Sequence, residues 1–466
     1  MQTVTTEPSF TRYLSLIDDP EAFQACLARP LPTCIWANPL KTTPEAVAKF
    51  MQAQGVECES RPWHKNVFRS RNWDKPGSTV GFAAGWYNVQ EEISLTAARV
   101  LDPQPGECIL DLCAAPGCKT VQIASRLAGS GMVVANEVQI PRLAILQTML
   151  NRMGLLNTIV TNDDGGTIPL PPHSFDRVLV DAPCSGEGAM RKSRASWKEW
   201  NPKYSRQIAS TQRKLLDRAL QFVKPGGIVV YSTCTFAPEE NEATIDAVLG
   251  DRGYVEPAEI PALRAMPGLL QWKQQSFRAD LVRAQRYFPH FNDTGGFFVA
   301  RIRRTDVELN PPTAEPETHQ HQATPLDNSY PLEWFCQRFG IDPAVFSGLR
   351  LWVKGKDKIW IAETACEPTL QPMAQTIGIP FLRLLSRTFK PTTSALQRFG
   401  RYATRNIIEL NNCEAAWQFL AGQSQHIQAS ANSGYVHVRY GSFELGCGLY
   451  QQGCLYSQVP KNLRAK

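Results

Sequence analysis

The sequence predicts an α/β chain built on a doubly wound, mostly parallel β-sheet, and three observations carry that expectation. Between about residue 101 and residue 304, apolar strand-like runs alternate with helical stretches at short intervals. The runs are near-continuous in Val, Ile and Leu, the pattern of strands covered on both faces. Polar residues and turns recur just after these runs, where an open α/β sheet binds its ligands.

Each element follows in order. Glu107 to Ala114 (ECILDLCA) reads as a strand entering a glycine-containing turn, with a helix starting at Cys118. Gly131 to Glu137 (GMVVANE) is a second strand, backed by a helix over Arg142 to Arg152. Asn157 to Asn162 and Phe175 to Asp181 (FDRVLVD) supply two more. Gly227 to Ser232 (GIVVYS) is a fifth, entered through the turn Lys224-Pro225-Gly226-Gly227. Gly296 to Arg301 (GFFVAR) is expected as a late strand of the same sheet. Before this region, residues 1 to about 100 mix short helical and strand-like pieces. After it, Thr305 to Pro331, rich in Pro, Thr, Glu, His and Gln, reads as a linker. The remainder to Lys466 has short β-like runs such as Tyr435 to Tyr440 and Leu351–Trp352. No internal repeat is visible.

At 466 residues the chain is too long for one compact unit, and its 43% hydrophobic content suffices for several cores. Charged residues make up 20% with a net charge of +6, which permits a polyanionic partner without requiring one. Met1 to Phe10 has neither a basic start nor an apolar stretch, and no run approaches the roughly 18 apolar residues of a membrane helix. A cytoplasmic location, without membrane attachment, is expected. There 13 reduced cysteines would serve mostly as small buried hydrophobes. They include no Cys-x-x-Cys pair, and His319 and His321 lie in the polar linker, so no metal site is expected.

Four polar features fall at successive strand ends. They are Asp111 to Lys119 (DLCAAPGCK), Glu137, the pair Asp163-Asp164, and Asp181. The first is built of small residues that let backbone approach a ligand. An acid such as Glu137 at the end of the second strand suits two ribose hydroxyls, and Asp164 suits an adenine amino group. The glycine fingerprint of dinucleotide sites is missing, so little here would hold a pyrophosphate. A sulfonium cofactor needs no phosphate cradle and tolerates carboxylates, which favours S-adenosylmethionine over a dehydrogenase cofactor. Singly, Glu137 or Asp164 would pass for a solvated loop acid; three acids on one rim argue otherwise.

Two thiols share that rim. Asp181-Ala182-Pro183-Cys184 follows the fourth strand and Ser232-Thr233-Cys234-Thr235 the fifth. A lone strand cysteine is usually buried filler, but a thiolate has a use beside a methyl donor. C5 of cytosine is a poor nucleophile, and addition of a thiolate to C6 turns the ring into an enamine that attacks a methyl group. Cys234 stands shortly before an expected helix at Pro238 to Glu242, whose N-terminus would lower its pKa. Cys184 is placed to assist proton removal and release, and Asp181 to hold the N3 edge of the base.

The motifs DLCAAPGCKT, ANE, NDDG, DAPCSGEG with MRK, YSTCT and PEENE resemble those of the RNA cytosine-C5 methyltransferases, the Sun/nucleolar-protein family. The resemblance spans roughly residues 80 to 303. It implies the class I methyltransferase fold, a Rossmann-like relative of the sheet described above. It also implies that Cys113, Ala114, Ala115, Pro116, Gly117, Cys118 and Lys119, with Glu137, Asp164 and Asp181, bind S-adenosylmethionine. By the same resemblance Cys234 is the nucleophile and Cys184 assists release, a choice the residues alone leave open. Cys118 replaces a usual glycine, and Trp36 replaces the arginine of an amino-terminal Arg-x-Asn-x-Leu element. The tail from Tyr435 to Leu463 resembles bacterial RsmF-type enzymes, which implies a PUA-like RNA-binding domain over 332–466 and 16S ribosomal RNA as substrate. The expected organisation is then an RNA-binding subdomain over 1–100, the catalytic domain over 101–304, a linker over 305–331 and the PUA-like domain, in a monomer.

RNA contacts are expected from three regions. Arg61 to Lys75 interleaves basic residues with Trp63, Phe68 and Trp73, suited to phosphate contact and base stacking. Arg191, Lys192, Arg194 and Lys198 follow Cys184, and Arg286 and His290 sit in a late motif. Arg383, Arg387, Lys390, Arg398, Arg401 and Arg405 form a third cluster. Any of these is also an ordinary solvated face. A cytosine within a duplex hides C6, so an unpaired or flipped target is expected, in the small-subunit RNA or assembled 30S subunit. Transfer RNA as substrate, or an RNA-binding assembly factor without catalysis, are the alternatives; the presence of both thiols argues against the latter.

Overall fold

The structure, a computed structural model, describes residues 11–192, 202–307, 323–327, 329–367 and 374–464. Its centre is a ten-stranded mixed sheet, with strands numbered in chain order. They are β1 (Cys108–Asp111), β2 (Met132–Asn136), β3 (Thr158–Thr161), β4 (Phe175–Asp181), β5 (Val223–Thr233), β6 (Gly253–Glu256), β7 (Met266–Pro267), β8 (Gln285–Tyr287), β9 (Phe297–Arg304) and β10 (Thr376–Ile377). The order is β7-β8-β9-β5-β4-β1-β2-β3-β10, and β6 also pairs with β9. The run β3-β2-β1-β4-β5 is parallel throughout, while β9 and β10 close it antiparallel at either side. All five strands and the late strand expected from the apolar runs are present.

Successive side chains point to opposite faces, and both faces are covered. Leu110, Val178, Val180 and Val229 enter one core, and Ile109, Val133, Leu179 and Val230 the other. Each such burial contributes about 1.5–3 kcal/mol. Helix Cys118–Leu127 follows β1, and Ile140–Met153 follows β2, opened by Pro141 and ended by Gly154 in the left-handed region. The chain winds outward from β1 through β2 and β3, then returns to β4 on the other side. The direction therefore switches between β1 and β4, and a crevice opens at their carboxyl ends.

An N-terminal antiparallel sheet packs beside this body, in the order Glu59–Arg61, His64–Ser70, Thr33–Ala37, Tyr87–Val89. Here the structure corrects the reading of Arg61 to Lys75 as a stacking platform. Trp63, Phe68 and Trp73 are buried core residues, and Arg61 and Arg69 turn inward to Glu92. A strand of alternating basic and aromatic residues looks the same whichever face is covered; the buried carboxylate of Glu92 decides it.

The C-terminal stretch forms two five-stranded sheets. The first runs Thr324–Pro325, Leu349–Lys354, Lys358–Glu363, Ile379–Leu384, Phe389–Pro391. The second runs Ile407–Glu409, Gly434–Tyr440, Phe443–Gln451, Cys454–Ser457, Ser424–His426. Between them sits a core rich in phenylalanine, with Phe335, Phe339, Phe346, Phe381 and Phe399 in mutual ring contact. No described helix is long and apolar enough to cross a membrane.

Candidate active site

The rim between β1 and β4 gathers the polar residues expected there. After β1, Asp111 is buried and accepts a 2.7 Å hydrogen bond from Thr120 Oγ1. Burial pushes its carboxyl up to about 7, and Oδ1 has no partner among the described residues. The turn Cys113 to Lys119 is tied to β2 by the Ala114 N–H, which donates to Asn136 O at 2.8 Å. Gly117 adopts φ +111°, a conformation that calls for glycine, and a Cβ there would also press 2.9 Å from Leu146 Cδ1.

Glu137 follows β2 with a buried carboxylate. Its Oε1 accepts from Gln139 N at 2.9 Å, and Arg142 stands 3.4 Å from Oε2. Asp164, after β3, accepts from Gly166 N and is exposed. Asn136 Nδ2 donates to Asp163 O, drawing the β2 and β3 ends together. Asp181, ending β4, is held from both sides, by Lys119 Nζ at 2.6 Å and Ser232 Oγ at 2.7 Å. Carboxylates at the ends of β2, β3 and β4, around the turn of small residues after β1, fit the ribose, amine and sulfonium of S-adenosylmethionine.

The two thiols converge. Cys184 Sγ and Cys234 Sγ lie 3.3 Å apart. Cys234 lines a cavity of about 270 Å³ with Asp181, Lys119, Pro116 and the Gly295–Phe297 segment. The hydrogen bond from Cys184 lowers the pKa of Cys234, and the Lys119 charge helps, against burial and Asp181. The same bond, with burial, holds Cys184 well above the ordinary thiol range. Burial also raises Cys113 and Cys118. Of the thiols on this rim, Cys234 is the one shifted toward ionisation, through its contact with Cys184.

One sequence expectation about Cys234 is corrected. Pro238 to Asn241 form a turn, and the helix begins only at Glu242 and runs to Leu249. Instead of a helix start facing Cys234, the turn supplies Glu240. Its buried carboxylate accepts from Ser185 N at 2.9 Å and Gln212 Nε2 at 3.0 Å, pinning the loop that carries Cys184. A second buried acid, Glu187, accepts from Thr235 Oγ1, Phe236 N and Tyr13 O–H, and so joins both thiol loops to the N-terminal segment. Burial pushes Glu187 up to about 7. Neither role was read from the sequence, although the Ser-Gly-Glu-Gly and Pro-Glu-Glu-Asn-Glu runs contain both residues.

The expected RNA contacts fare unevenly. Arg286 is buried and paired through Nε with Glu242 at 2.6 Å, so it cannot face RNA. His290 has a side chain only 3% exposed, set against Phe23 and 2.8 Å from Asp18. Arg191 lines the cavity, but its guanidinium is spent on Asp293, Thr294 O and Pro30 O, clamping a loop to the N-terminal segment. Those three are corrections: each cation has found a fixed internal partner. Lys192 lines the cavity and is exposed. Arg194 and Lys198 lie outside the described residues.

Residues 98–303 match the family model described as 16S rRNA methyltransferase RsmB/F. Residues 306–374 match a family of unknown function, DUF7122, and 405–465 match the methyltransferase RsmF PUA domain, which is the second C-terminal sheet. The chain is 30% identical over 453 residues to ribosomal RNA small subunit methyltransferase F of Klebsiella pneumoniae, covering 95% of this chain and 92% of that protein. It is 35% identical to the tRNA (cytosine(49)-C(5))-methyltransferase of Pyrococcus abyssi, over 62% of this chain and 94% of that one. Among solved structures, a methyltransferase homolog protein from Pyrococcus horikoshii has a TM-score of 0.52 at 30% identity, covering 61% of this chain and 90% of that chain. NSun6 from the same organism, crystallised with SFG, has a TM-score of 0.54 at 21% identity, over 61% of this chain and 94% of its own, a likeness of fold.

Proposed function

The chain belongs to the RsmB/F family of RNA methyltransferases, and on that premise we propose that it methylates C5 of a cytosine in small-subunit ribosomal RNA through a covalent bond from Cys234 to C6. The observation that carries this reading is the 3.3 Å approach of Cys184 to Cys234 beside Asp181 and Lys119. S-adenosylmethionine, held by the turn Cys113 to Lys119 with Glu137, Asp164 and Asp181, supplies an electrophilic methyl group.

The chain's own residues do the rest. Cys184 donates its S–H to the Cys234 thiolate, keeping it charged in a buried site. The Cys234 sulfur adds to C6, while Asp181, oriented by Lys119 and Ser232, holds the N3 edge and stabilises the added ring. C5, now enamine-like, takes the methyl group. As the ring is attacked, the S–H proton of Cys184 passes to N3, so that Cys184, now a thiolate, takes the C5 proton. The C6–S bond then breaks, its electrons return to Cys234, and the N3 proton leaves to solvent as the aromatic ring is restored. Each Cys234 attack is thus followed by one release.

Substitution separates the thiols. Cys234→Ala is expected to abolish methyl transfer, and Cys184→Ala to accumulate a protein–RNA adduct stable in denaturing gels. An adduct with Cys234→Ala but not with Cys184→Ala would reverse the assignment.

Full-length similarity to the small-subunit enzymes and the PUA match over 405–465 favour ribosomal RNA; the tRNA-named relative covers only 62% of this chain. A monomer acting in the cytoplasm completes the proposal. Bisulfite sequencing of ribosomal and transfer RNA from cells lacking the gene tests the substrate, and an unmodified transfer RNA position alone would overturn it.

A further inference from the structure

A second cleft, of about 480 Å³, opens between the N-terminal sheet and helix Cys118–Leu127. Its walls combine the indoles of Trp36 and Trp63 with His64, Lys65, Arg99 and Arg126. We propose that this cleft binds a nucleotide flanking the target cytosine, its phosphate on the cations and a polar atom of its base on the Trp36 N–H. The proposal rests on the reading of the chain as an RNA methyltransferase.

Three features of the cleft support it. First, Lys65 and Arg99 are exposed and make no ion pair among the described residues. Among the described residues Arg126 pairs only with Asp102, in a pair whose side chains are 40% and 46% exposed. Such a surface pair contributes little and leaves the cation free to meet phosphate. Second, Trp36 is 3% exposed, yet its Nε1–H has no hydrogen-bond partner among the described residues. A buried indole N–H without an acceptor is costly, and a ligand oxygen or ring nitrogen would satisfy it. Third, His64 accepts from Asn66 N through Nδ1, which leaves Nε2–H as a donor. Burial, with the charges of Arg99 and Arg126, holds its pKa down at about 4, so the ring is neutral.

Position completes the argument. Gln122 in the cleft wall donates to Gln90 Oε1 at 2.8 Å, and Gln90 lines the catalytic cavity. Gln122 also donates to Cys118 O, one helical turn back, and Cys118 lines that cavity too. The two spaces are therefore separated by one hydrogen-bonded pair of glutamines and about 6 Å along the helix. A cytosine drawn into the catalytic cavity leaves its strand neighbour unstacked, and a cationic cleft this close would receive that neighbour.

The test uses the full-length protein, a small-subunit RNA transcript and the triple variant Lys65→Ala, Arg99→Ala, Arg126→Ala. All three side chains are at the surface, so thermal midpoint and S-adenosylmethionine affinity should match wild type. RNA affinity should fall by about tenfold or more, and the log–log salt slope should shrink by about 0.7 for each phosphate no longer neutralised. Trp36→Phe, which keeps an aromatic ring and removes the N–H, should weaken RNA binding without changing that slope. Unchanged RNA affinity and salt slope in the triple variant, with wild type methylating RNA, would overturn the cleft assignment alone. Failure of wild type to methylate any RNA would overturn the underlying reading and the cleft with it.

Discussion

Arg286 and Glu242, 44 residues apart in the chain, form an ion pair with both side chains buried, and Arg286 also donates to Phe236 O two residues beyond Cys234. Removing one partner of such a pair leaves the other charge stranded, which costs about 3–5 kcal/mol. Arg286→Ala should therefore lower the thermal midpoint steeply and raise sensitivity to urea. Unchanged stability with weakened RNA binding would restore the surface role expected from its motif. The sequence revealed which residue types sit at the site far better than which way they face. Cys184, Cys234, Glu137 and Asp181 were recoverable because strand ends of a parallel sheet share one rim. Arg286, His290 and Arg191 were not, because their partners Glu242, Asp18 and Asp293 are distant in sequence.

Among the elements, the loops after β4 and β5 and the segment entering β9 fit together through two glycines. Gly188 N donates to Cys234 O at 2.8 Å, and Gly296 N donates to Gly188 O at 2.9 Å. A Cβ on Gly188 would stand 2.3 Å from Gly296 O, and one on Gly296 would stand 2.2 Å from the Phe236 ring. Gly188→Ala should push the loops apart and cut the methyl-transfer rate by about 10²-fold, since displacements near 1 Å carry that penalty. S-adenosylmethionine affinity should persist, because Asp181 stays held by Lys119 and Ser232 and the other proposed contacts lie at the ends of β1, β2 and β3; initial rates beside a direct binding measurement check both. A near-wild-type rate would show that the two loops need not touch. The strands were legible because each is a near-continuous apolar run with both faces covered. The helix expected from Pro238 was not found there because a Pro-Glu-Glu start also suits a turn. In this turn Ala243 N reaches Pro238 O, and Glu240 is drawn inward to Ser185.

For the whole molecule, the C-terminal part is more than an appendage. β10 pairs with β3 through Thr376–Val160 and Ile377–Ile159, and Leu156 packs into the phenylalanine-rich core. Two residues of strand in a Pro- and Gln-rich surrounding give no periodicity to read, so this closure was invisible in the sequence. Truncation after Arg304 should expose the β3 edge and Leu156, producing a lower thermal midpoint and concentration-dependent association. A soluble, monomeric fragment with the full-length midpoint would contradict that expectation. The order of synthesis gives this closure a further meaning. β3 leaves the ribosome long before β10 does, so the nascent catalytic sheet carries an unsealed margin until β10 has been made.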